Sequence, residues 1–181
     1  MEERHGLKHE AWEFVKIIVL SLAIVIPIRM FFVQPFVVRG ASMEPNFFQG
    51  EYLIINEFLY YFKAPTREDV IVFRYPQNPS QFFIKRIVGL PGEIVEIKNG
   101  SVFITEKGQE EALELGESYL SGTMVTIPDT KIALSDEEYF VLGDNRPRSS
   151  DSRIWGSLDE EFIIGKAWLR LWPVARAEVL P

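Results

Sequence analysis

One serine in the sequence stands in a setting that could support nucleophilic chemistry. Ser42 lies within residues 40–45 (GASMEP), between a strand-like run and a turn marked by Pro45. Glycine near a serine lets a ligand approach the backbone closely, because glycine carries no side chain. Serine beside glycine is also common in ordinary turns, so this segment alone leaves both interpretations open.

The base that such a serine needs is not the usual histidine. Both histidines, His5 and His9, lie in the polar N-terminal tail, and cysteine is absent. These facts exclude a cysteine nucleophile and a zinc–thiolate site, and they argue against a Ser-His-Asp triad in the folded part. A serine nucleophile must therefore be activated by another group.

Lys85 is the candidate base, because it lies in the middle of the strand-like run 81–89 (QFFIKRIVG). With the two-residue period of a strand, this lysine shares a face with Phe83 and Ile87. Burial disfavours the charged form of lysine, so a buried neutral amine can accept a proton from a serine hydroxyl. The alternative is an edge-strand lysine whose stem packs while its ammonium group reaches water.

A third segment, residues 143–153 (GDNRPRSSDSR), combines turn formers with charges of both signs. Its hydroxyl groups could hold a lysine amine in position. Its aspartates and arginines could stiffen a site, because arginine pairs with carboxylates in a bidentate geometry. A salt-bridged surface loop explains the same composition.

In this order, the three segments resemble the type I signal (leader) peptidase family. The similarity runs from an apolar N-terminal stretch through GASMEP and KRIVGLPGE (residues 85–93) to GDNRPRSSDSR. The resemblance implies that Ser42 is the nucleophile and a backbone oxyanion donor, that Lys85 is the general base, and that Ser149 orients the lysine amine. It also implies supporting, structural roles for Arg86, Asp144, Arg146, Asp151 and Arg153.

The same resemblance implies a peptide-binding cleft near the serine. Residues expected to line it or to lie near it are Phe36, Val38, Met43, Phe47, Phe83 and Ile84, with ordinary core packing as the alternative for each. Apolar walls of this kind should accept small side chains just before the cut and exclude large ones. The expected substrates are preproteins whose signal peptides end in small residues. No metal or cofactor is expected, since a serine and an amine supply all the proton transfers.

Three features of this chain depart from the pattern of larger or other members of the family that it resembles. Gly40 stands where some members carry a serine whose hydroxyl helps to stabilise the oxyanion, and a missing donor costs about 10²–10³ in rate. Pro147 replaces a residue that is often polar, and it should stiffen its loop. The short span between Glu93 and Tyr139 leaves no room for the extra domain of larger members.

The elements that must position these residues follow a β pattern. Beyond residue 33, short apolar runs alternate with turn signals, and Asn99-Gly100 indicates a tight hairpin. The pattern predicts a mainly β, antiparallel, partly closed β-barrel-like domain over residues 34–181. The predicted strand regions are 36–40, 51–62, 70–75, 81–89, 93–105, 123–127, 138–143 and 162–172.

Two further predictions concern the less regular parts of this domain. In the last run, strict alternation places Lys166, Trp168, Arg170 and Trp172 on one face of a half-exposed strand. The acidic stretch 106–118 (EKGQEEALELGES) is expected to be a surface loop.

Residues 14–33 are apolar except for Lys16 and Arg29, which lie near opposite ends. About twenty such residues suffice to cross a bilayer, so the sequence predicts one N-terminal transmembrane helix. A buried soluble helix and a cleaved signal sequence are the alternatives, although bulky residues follow where a cleavage site would need small ones. The basic residues before the apolar core predict a cytoplasmic tail over 1–13 and an extracytoplasmic catalytic domain on a bacterial plasma membrane.

Composition limits the partners of the protein. The net charge of −7, with no run of basic residues, argues against nucleic acid as a partner. Aromatic residues at 47–48 and 58–62 suit a membrane interface, which predicts contact with lipid unless these rings belong to the core.

The predicted function is removal of signal peptides from exported preproteins by a membrane-bound serine endopeptidase. One rival is a related serine–lysine protease dedicated to a single export or pilus substrate. The other is a catalytically silent membrane-anchored β module that only binds peptides. Loss of Ser42 or Lys85 would mark the silent module, and both residues are present.

Overall fold

The secondary structure is dominated by short antiparallel strands. The computed structural model describes residues 12–23, 34–122 and 124–181. Residues 12–23 form helix α1. The strands that follow are β1 (Gln34–Val37), β2 (Tyr52–Asn56), β3 (Val70–Tyr75), β4 (Asn78–Gly89), β5 (Ile94–Lys98), β6 (Ser101–Thr105), β7 (Leu113–Glu114), β8 (Thr130–Ala133), β9 (Glu138–Leu142), β10 (Leu158–Asp159), β11 (Ile163–Trp172) and β12 (Glu178–Val179). Helix α2 (Ser152–Trp155) and 3-10 turns at Phe58–Tyr61, Arg146–Arg148, Glu160–Phe162 and Val174–Arg176 complete the described elements.

The strands form two sheets, and the prediction of a mainly β, antiparallel domain is confirmed. The larger sheet has the order β1-β2-β11-β3-β4-β9-β10, with β12 also paired to β11. The smaller sheet, β7-β6-β5-β8, is formed by chain between β4 and β9. The predicted partial closure is wrong, because β1 and β10 end the larger sheet and pair with no further described strand. Sequence alternation specifies strands, whereas closure depends on strand tilt and stagger.

Strand β3 shows why the centre of the larger sheet is apolar on both faces. Val70 and Val72 pack into the core on one face, while Ile71 and Phe73 pack into the core on the other. Such two-sided burial produces a continuous apolar run instead of an alternating one. The smaller sheet packs its own apolar face against the β4 and β9 end of the larger sheet.

The smaller sheet starts and ends at one place on the larger sheet. The Gly92 N–H donates to the Ser135 carbonyl at 2.9 Å, and the Leu134 N–H donates to the Glu93 carbonyl at 2.8 Å. At its far end, Asn99 and Gly100 adopt φ of 53° and 85°, which confirms the predicted hairpin turn between β5 and β6.

Four local predictions about strands and loops are wrong. The strand predicted over residues 51–62 ends at Asn56, and a 3-10 turn follows at Phe58–Tyr61. Residues 124–127 form no strand, and the next strand is β8. The acidic stretch 106–118 is not wholly a loop, since β7 pairs with β6. In β11, Arg170 is buried, whereas its neighbours 171 and 172 are exposed. Register shifts in the pairing of β11 with β2 interrupt the alternation there, because a bulge moves the following side chains to the other face.

The N-terminal anchor remains a prediction. Within residues 12–23, 34–122 and 124–181, no helix combines the length and the apolar character needed to cross a bilayer. Residues 24–33 of the predicted span lie outside the described residues. Of the rings proposed for a membrane interface, Phe47 is buried in the core, while Tyr61 and Phe62 are 79% and 76% exposed.

Candidate active site

Ser42 lies in a tight turn that follows β1 and is fixed from two sides. Gly40 begins the turn with φ +79°, and a Cβ there would meet nothing within 4 Å, so backbone conformation and not crowding favours glycine. The Phe47 N–H donates to the Met43 carbonyl at 2.9 Å. The Asn145 N–H donates to the Ser42 carbonyl at 2.9 Å, which ties the turn to the loop after β9.

Strand β4 brings Lys85 to this turn. Its Nζ lies 2.8 Å from Ser42 Oγ and also donates to the Ile84 carbonyl at 2.8 Å. The Phe83 ring centroid lies 5.3 Å from Nζ. Lys85 itself is only 3% exposed. The amine therefore ends at the serine hydroxyl and not in water, contrary to the edge-strand alternative.

The surroundings of Lys85 increase the fraction of its amine that is neutral. Burial lowers the pKa of Lys85 to about 8, although the charges of Asp151 and Asp144 act to raise it. With that pKa, roughly one tenth of the amine is neutral at pH 7, far more than for an ordinary lysine. A neutral amine within hydrogen-bond distance of a hydroxyl is the arrangement that general-base activation requires.

Two buried carboxylates hold the walls of the site. Asp144 accepts two hydrogen bonds from Arg86, at 2.9 and 2.7 Å, and a third from the Asn46 side chain at 2.8 Å. Asp151 accepts from the side chain of Arg153 at 2.8 Å through each of its two oxygens. Bidentate pairs of this kind fix geometry as well as charge. The structure thus gathers these four predicted supporting residues around Ser42 and Lys85.

Arg146, the fifth predicted supporting residue, reveals a contribution that sequence reasoning missed. Its guanidinium pairs with Glu117 and donates to the Thr126 hydroxyl.

Tyr119, from the same stretch of chain, contacts the other side of the site. Its ring lies 4.1 Å from the guanidinium of Arg86, and its carbonyl accepts from the Asn46 side chain at 2.9 Å. The chain between β7 and β8 therefore buttresses the catalytic loop, residues 143–153. No local pattern marks these residues, because their partners are distant in sequence.

Ser149 is close-packed in the site but is not hydrogen-bonded to the lysine. Its buried Oγ has no hydrogen-bond partner among the described residues. A Cβ on Gly143 would lie 2.1 Å from this Oγ and 2.5 Å from the Ser42 carbonyl oxygen, so only glycine fits there. The carbonyl of Ile84, and not Ser149, is the second partner of the amine.

A cavity of about 710 Å³ opens beside the Ser42–Lys85 pair. Of the residues predicted for the binding cleft, Phe36, Phe83 and Ile84 line it. The other three, Val38, Met43 and Phe47, are buried in the core and are not among its described lining residues. The cavity presents the Ser42 hydroxyl, the Lys85 amine and an apolar wall to an extended ligand.

Comparison with known proteins identifies the family of the chain. The sequence profile of the family described as "Signal peptidase, peptidase S26" matches residues 11–172. The chain belongs to this family. It is therefore a serine endopeptidase that removes signal peptides, in agreement with the sequence-based prediction.

Individual members show how far the similarity extends. The chain is 33% identical over 176 residues to "Probable signal peptidase I-1" of Synechocystis sp., covering 91% of this chain and 86% of that protein. It is 37% identical over 174 residues to the signal peptidase I of Leptolyngbya laminosa, covering 91% and 81%. A crystal structure of a signal peptidase I from Enterococcus faecalis V583 matches at 33% identity and a TM-score of 0.48, covering 57% of this chain and 97% of that chain.

These similarities bear on the two rivals. They are to signal peptidases I, so a protease dedicated to one export or pilus substrate is not favoured. A catalytically silent peptide-binding module disagrees with membership in a peptidase family.

Proposed function

We propose that this signal peptidase cleaves preproteins with Ser42 as nucleophile and Lys85 as general base. The observation that carries the proposal is the 2.8 Å separation between Nζ and Oγ in a buried site. Neutral Lys85 takes the hydroxyl proton while Oγ attacks the scissile carbonyl carbon. The resulting ammonium then protonates the leaving amine as an ester forms on Ser42. A water that Lys85 deprotonates hydrolyses the ester, releases the signal peptide and restores the serine.

The oxyanion is stabilised in this mechanism by the backbone N–H of Ser42. That N–H donates to no described group, so it is free to bind a negatively charged oxygen. Gly40 supplies no hydroxyl beside it, and the second donor that some family members have is missing on this side.

Ser149 is proposed to accept a hydrogen bond from Lys85 when the lysine is charged. The ammonium form has one more proton to donate than the neutral amine. Ser149 Oγ is buried and has no partner among the described residues, so it is the proposed acceptor for that proton. Asp144, Asp151 and their arginines hold the surrounding loop and take no part in proton transfer.

The proposed substrates are signal peptides with small residues before the cut. Phe36, Phe83 and Ile84 form an apolar part of the cavity wall next to Ser42. Such walls favour Ala and comparable side chains, because larger ones would collide with the rings. No metal or cofactor takes part in the proposed reaction.

We further propose that residues 14–33 anchor the enzyme in a bacterial plasma membrane, with residues 1–13 in the cytoplasm and residues 34–181 outside. The apolar stretch and the basic residues before it support this topology. The exposed rings of Tyr61 and Phe62 are proposed to contact lipid, since aromatic residues favour the interface.

The test is cleavage of a preprotein with an Ala-X-Ala boundary by the detergent-solubilised full chain. Wild type should cut after the second alanine, and Ser42→Ala and Lys85→Ala should each abolish the cut. Circular dichroism of both variants controls for folding. Cleavage by either folded variant would show that the assignment of nucleophile or base is wrong.

A further inference from the structure

The catalytic cavity carries a charge opposite to that of the whole protein. The chain has a net charge of −7, yet the described residues that line the cavity include Arg39, Lys85 and Arg148 and no carboxylate. The two carboxylates behind the cavity are each bound to an arginine of their own. A negatively charged group entering the cavity therefore meets cations without facing an acidic residue on its described walls.

Arg39 and Arg148 differ from the other arginines around the site because no described residue pairs with their charges. Arg86, Arg146 and Arg153 all hold carboxylates in ion pairs. Arg39 and Arg148 are exposed, and among the described residues neither makes an ion pair, a side-chain hydrogen bond or a ring contact. Ordinary structural pairing does not account for them.

We propose that Arg39 and Arg148 form a charge-selective subsite that binds an Asp or Glu side chain of the substrate next to the scissile bond. The subsite rests on the proposed cleavage at Ser42, because its ligand is the peptide held there. Arg39 belongs to the segment between β1 and Ser42, and Arg148 belongs to the catalytic loop, so the two approach from different elements. Guanidinium groups remain charged at physiological pH and bind carboxylates in a bidentate geometry.

A peptide carboxylate fits the position of these arginines better than an anionic lipid headgroup. Both residues line the same cavity as Ser42 and Lys85, where the scissile peptide must lie during the reaction. A charged pair in such an open site contributes modestly, so two arginines should give about a three- to ten-fold preference for an acidic residue over its neutral amide. Salt should weaken the preference, because the pairs are exposed to solvent.

The experiment uses the full chain in uncharged detergent at low salt, with peptides that have an Ala-X-Ala boundary. Glu and Gln are compared at the X position of the boundary and at each of the two positions after the cut. The expected result is a kcat/KM ratio for Glu over Gln of about 3–10 at one or more positions. Replacing both arginines (Arg39→Gln with Arg148→Gln) should bring the ratio to about one, whatever the absolute rate. Arg148→Glu should shift the preference toward Lys.

Lys98→Gln is the matched control, since it removes one exposed positive charge on β5, away from the cavity lining. It should keep the wild-type ratio. Equal rates for Glu and Gln at every position, with the Gln peptide cleaved, would overturn the subsite. Failure of wild type to cleave the Gln peptide would instead overturn the proposed cleavage reaction. If anionic vesicles accelerate all peptides equally and the double variant loses that gain, the arginines bind lipid and the proposal is wrong.

Discussion

At the scale of single residues, the site depends on one lysine that the fold keeps out of water. Lys85 contacts Ser42 Oγ and the Ile84 carbonyl, and its surroundings include the Phe83 ring. The free energy of burying an ammonium group is what lowers the pKa of Lys85. The burial that would allow this lysine to act as a base should therefore also make it a source of instability.

The first prediction is the pH dependence of cleavage. Since neutral Lys85 is the proposed base and its pKa is about 8, kcat/KM should rise about ten-fold per pH unit below that value and level off above it. Initial rates on a peptide substrate between pH 6 and pH 9.5 would measure this. A profile that is flat from pH 6 to pH 7.5 would show that a different group, or no titrating base, limits the rate.

The second prediction concerns the stability of a Lys85→Met variant. In the folded state the pKa of Lys85 is lowered from 10.5 to about 8, which corresponds to on the order of 3 kcal/mol against folding at pH 7. Losing two hydrogen bonds offsets only part of this, so the inactive variant should be more stable than wild type at pH 7. Between about pH 8 and pH 10.5 the unfolded wild-type chain binds more protons than the folded protein, so the stability of wild type should rise with pH. The stability difference between Lys85→Met and wild type should therefore shrink.

Urea denaturation at pH 7 and pH 10 would measure both effects. Lys98→Met, at an exposed site, should change the free energy of unfolding by less than about 0.5 kcal/mol. A Lys85→Met variant that is less stable than wild type at pH 7 would contradict the prediction.

The third prediction concerns Gly143→Ala. Its new Cβ would lie 2.5 Å from the Ser42 carbonyl oxygen, so the nucleophile turn must shift. A displacement of this kind should reduce kcat about 10²-fold, because the reacting atoms lose their alignment. Gly116→Ala is the matched control, since a Cβ there meets nothing within 4 Å, and it should keep the wild-type rate. Equal kcat values for the two variants would mean that the turn tolerates the displacement.

At the scale of elements, the chain between β7 and β8 is part of the active-site architecture. Glu117, Tyr119 and Thr126 contact two of the arginines behind the site. The segment is rich in glycine, serine and threonine, and this composition indicates only an exposed loop. Its structural role follows from side chains that point inward at isolated positions.

The fourth prediction tests this role with Glu117→Ala. The change leaves the buried guanidinium of Arg146 without its carboxylate, which should cost about 3–5 kcal/mol of folding free energy. Cleavage should also slow, because the catalytic loop loses a support. Denaturant unfolding of Glu117→Ala beside Glu114→Ala, whose side chain is exposed on β7, would test it. Similar small losses in both variants would show that Arg146 does not need its partner.

At the scale of the whole molecule, the sequence specified the strands and the chemistry better than their assembly. The motifs around Ser42, Lys85 and Asp144 are local in sequence, and they predicted residues that the structure brings close together. Other features depend on register shifts and on partners far along the chain. They are the open ends of the larger sheet, the burial of Arg170, and the ion pair of Glu117 with Arg146. These features arise only when distant segments meet, so alternation within a run could not predict them.

The fifth prediction concerns Leu180, whose side chain packs against residues from the distant N-terminal part of the domain. This side chain is buried in the same core as Met43 and Phe47, which flank the nucleophile turn. Leu180→Ala should therefore cost about 2 kcal/mol of folding free energy and reduce kcat. Val179→Ala, at a 67% exposed position, should change stability by less than about 0.5 kcal/mol. Thermal unfolding and peptide cleavage of the two variants would check this, and indistinguishable melting temperatures would contradict it.

The closely spaced ends of the smaller sheet have a consequence for how the chain can be extended. Since residues 92–93 and 134–135 are hydrogen-bonded to each other, added length within the sheet does not separate β4 from β9. The turn at residues 106–109 is exposed, and Gly108 has open space around it. Loop closure becomes only slowly more costly with length. That turn is therefore the site at which a fluorescent protein or an affinity tag could be inserted with the peptidase still active.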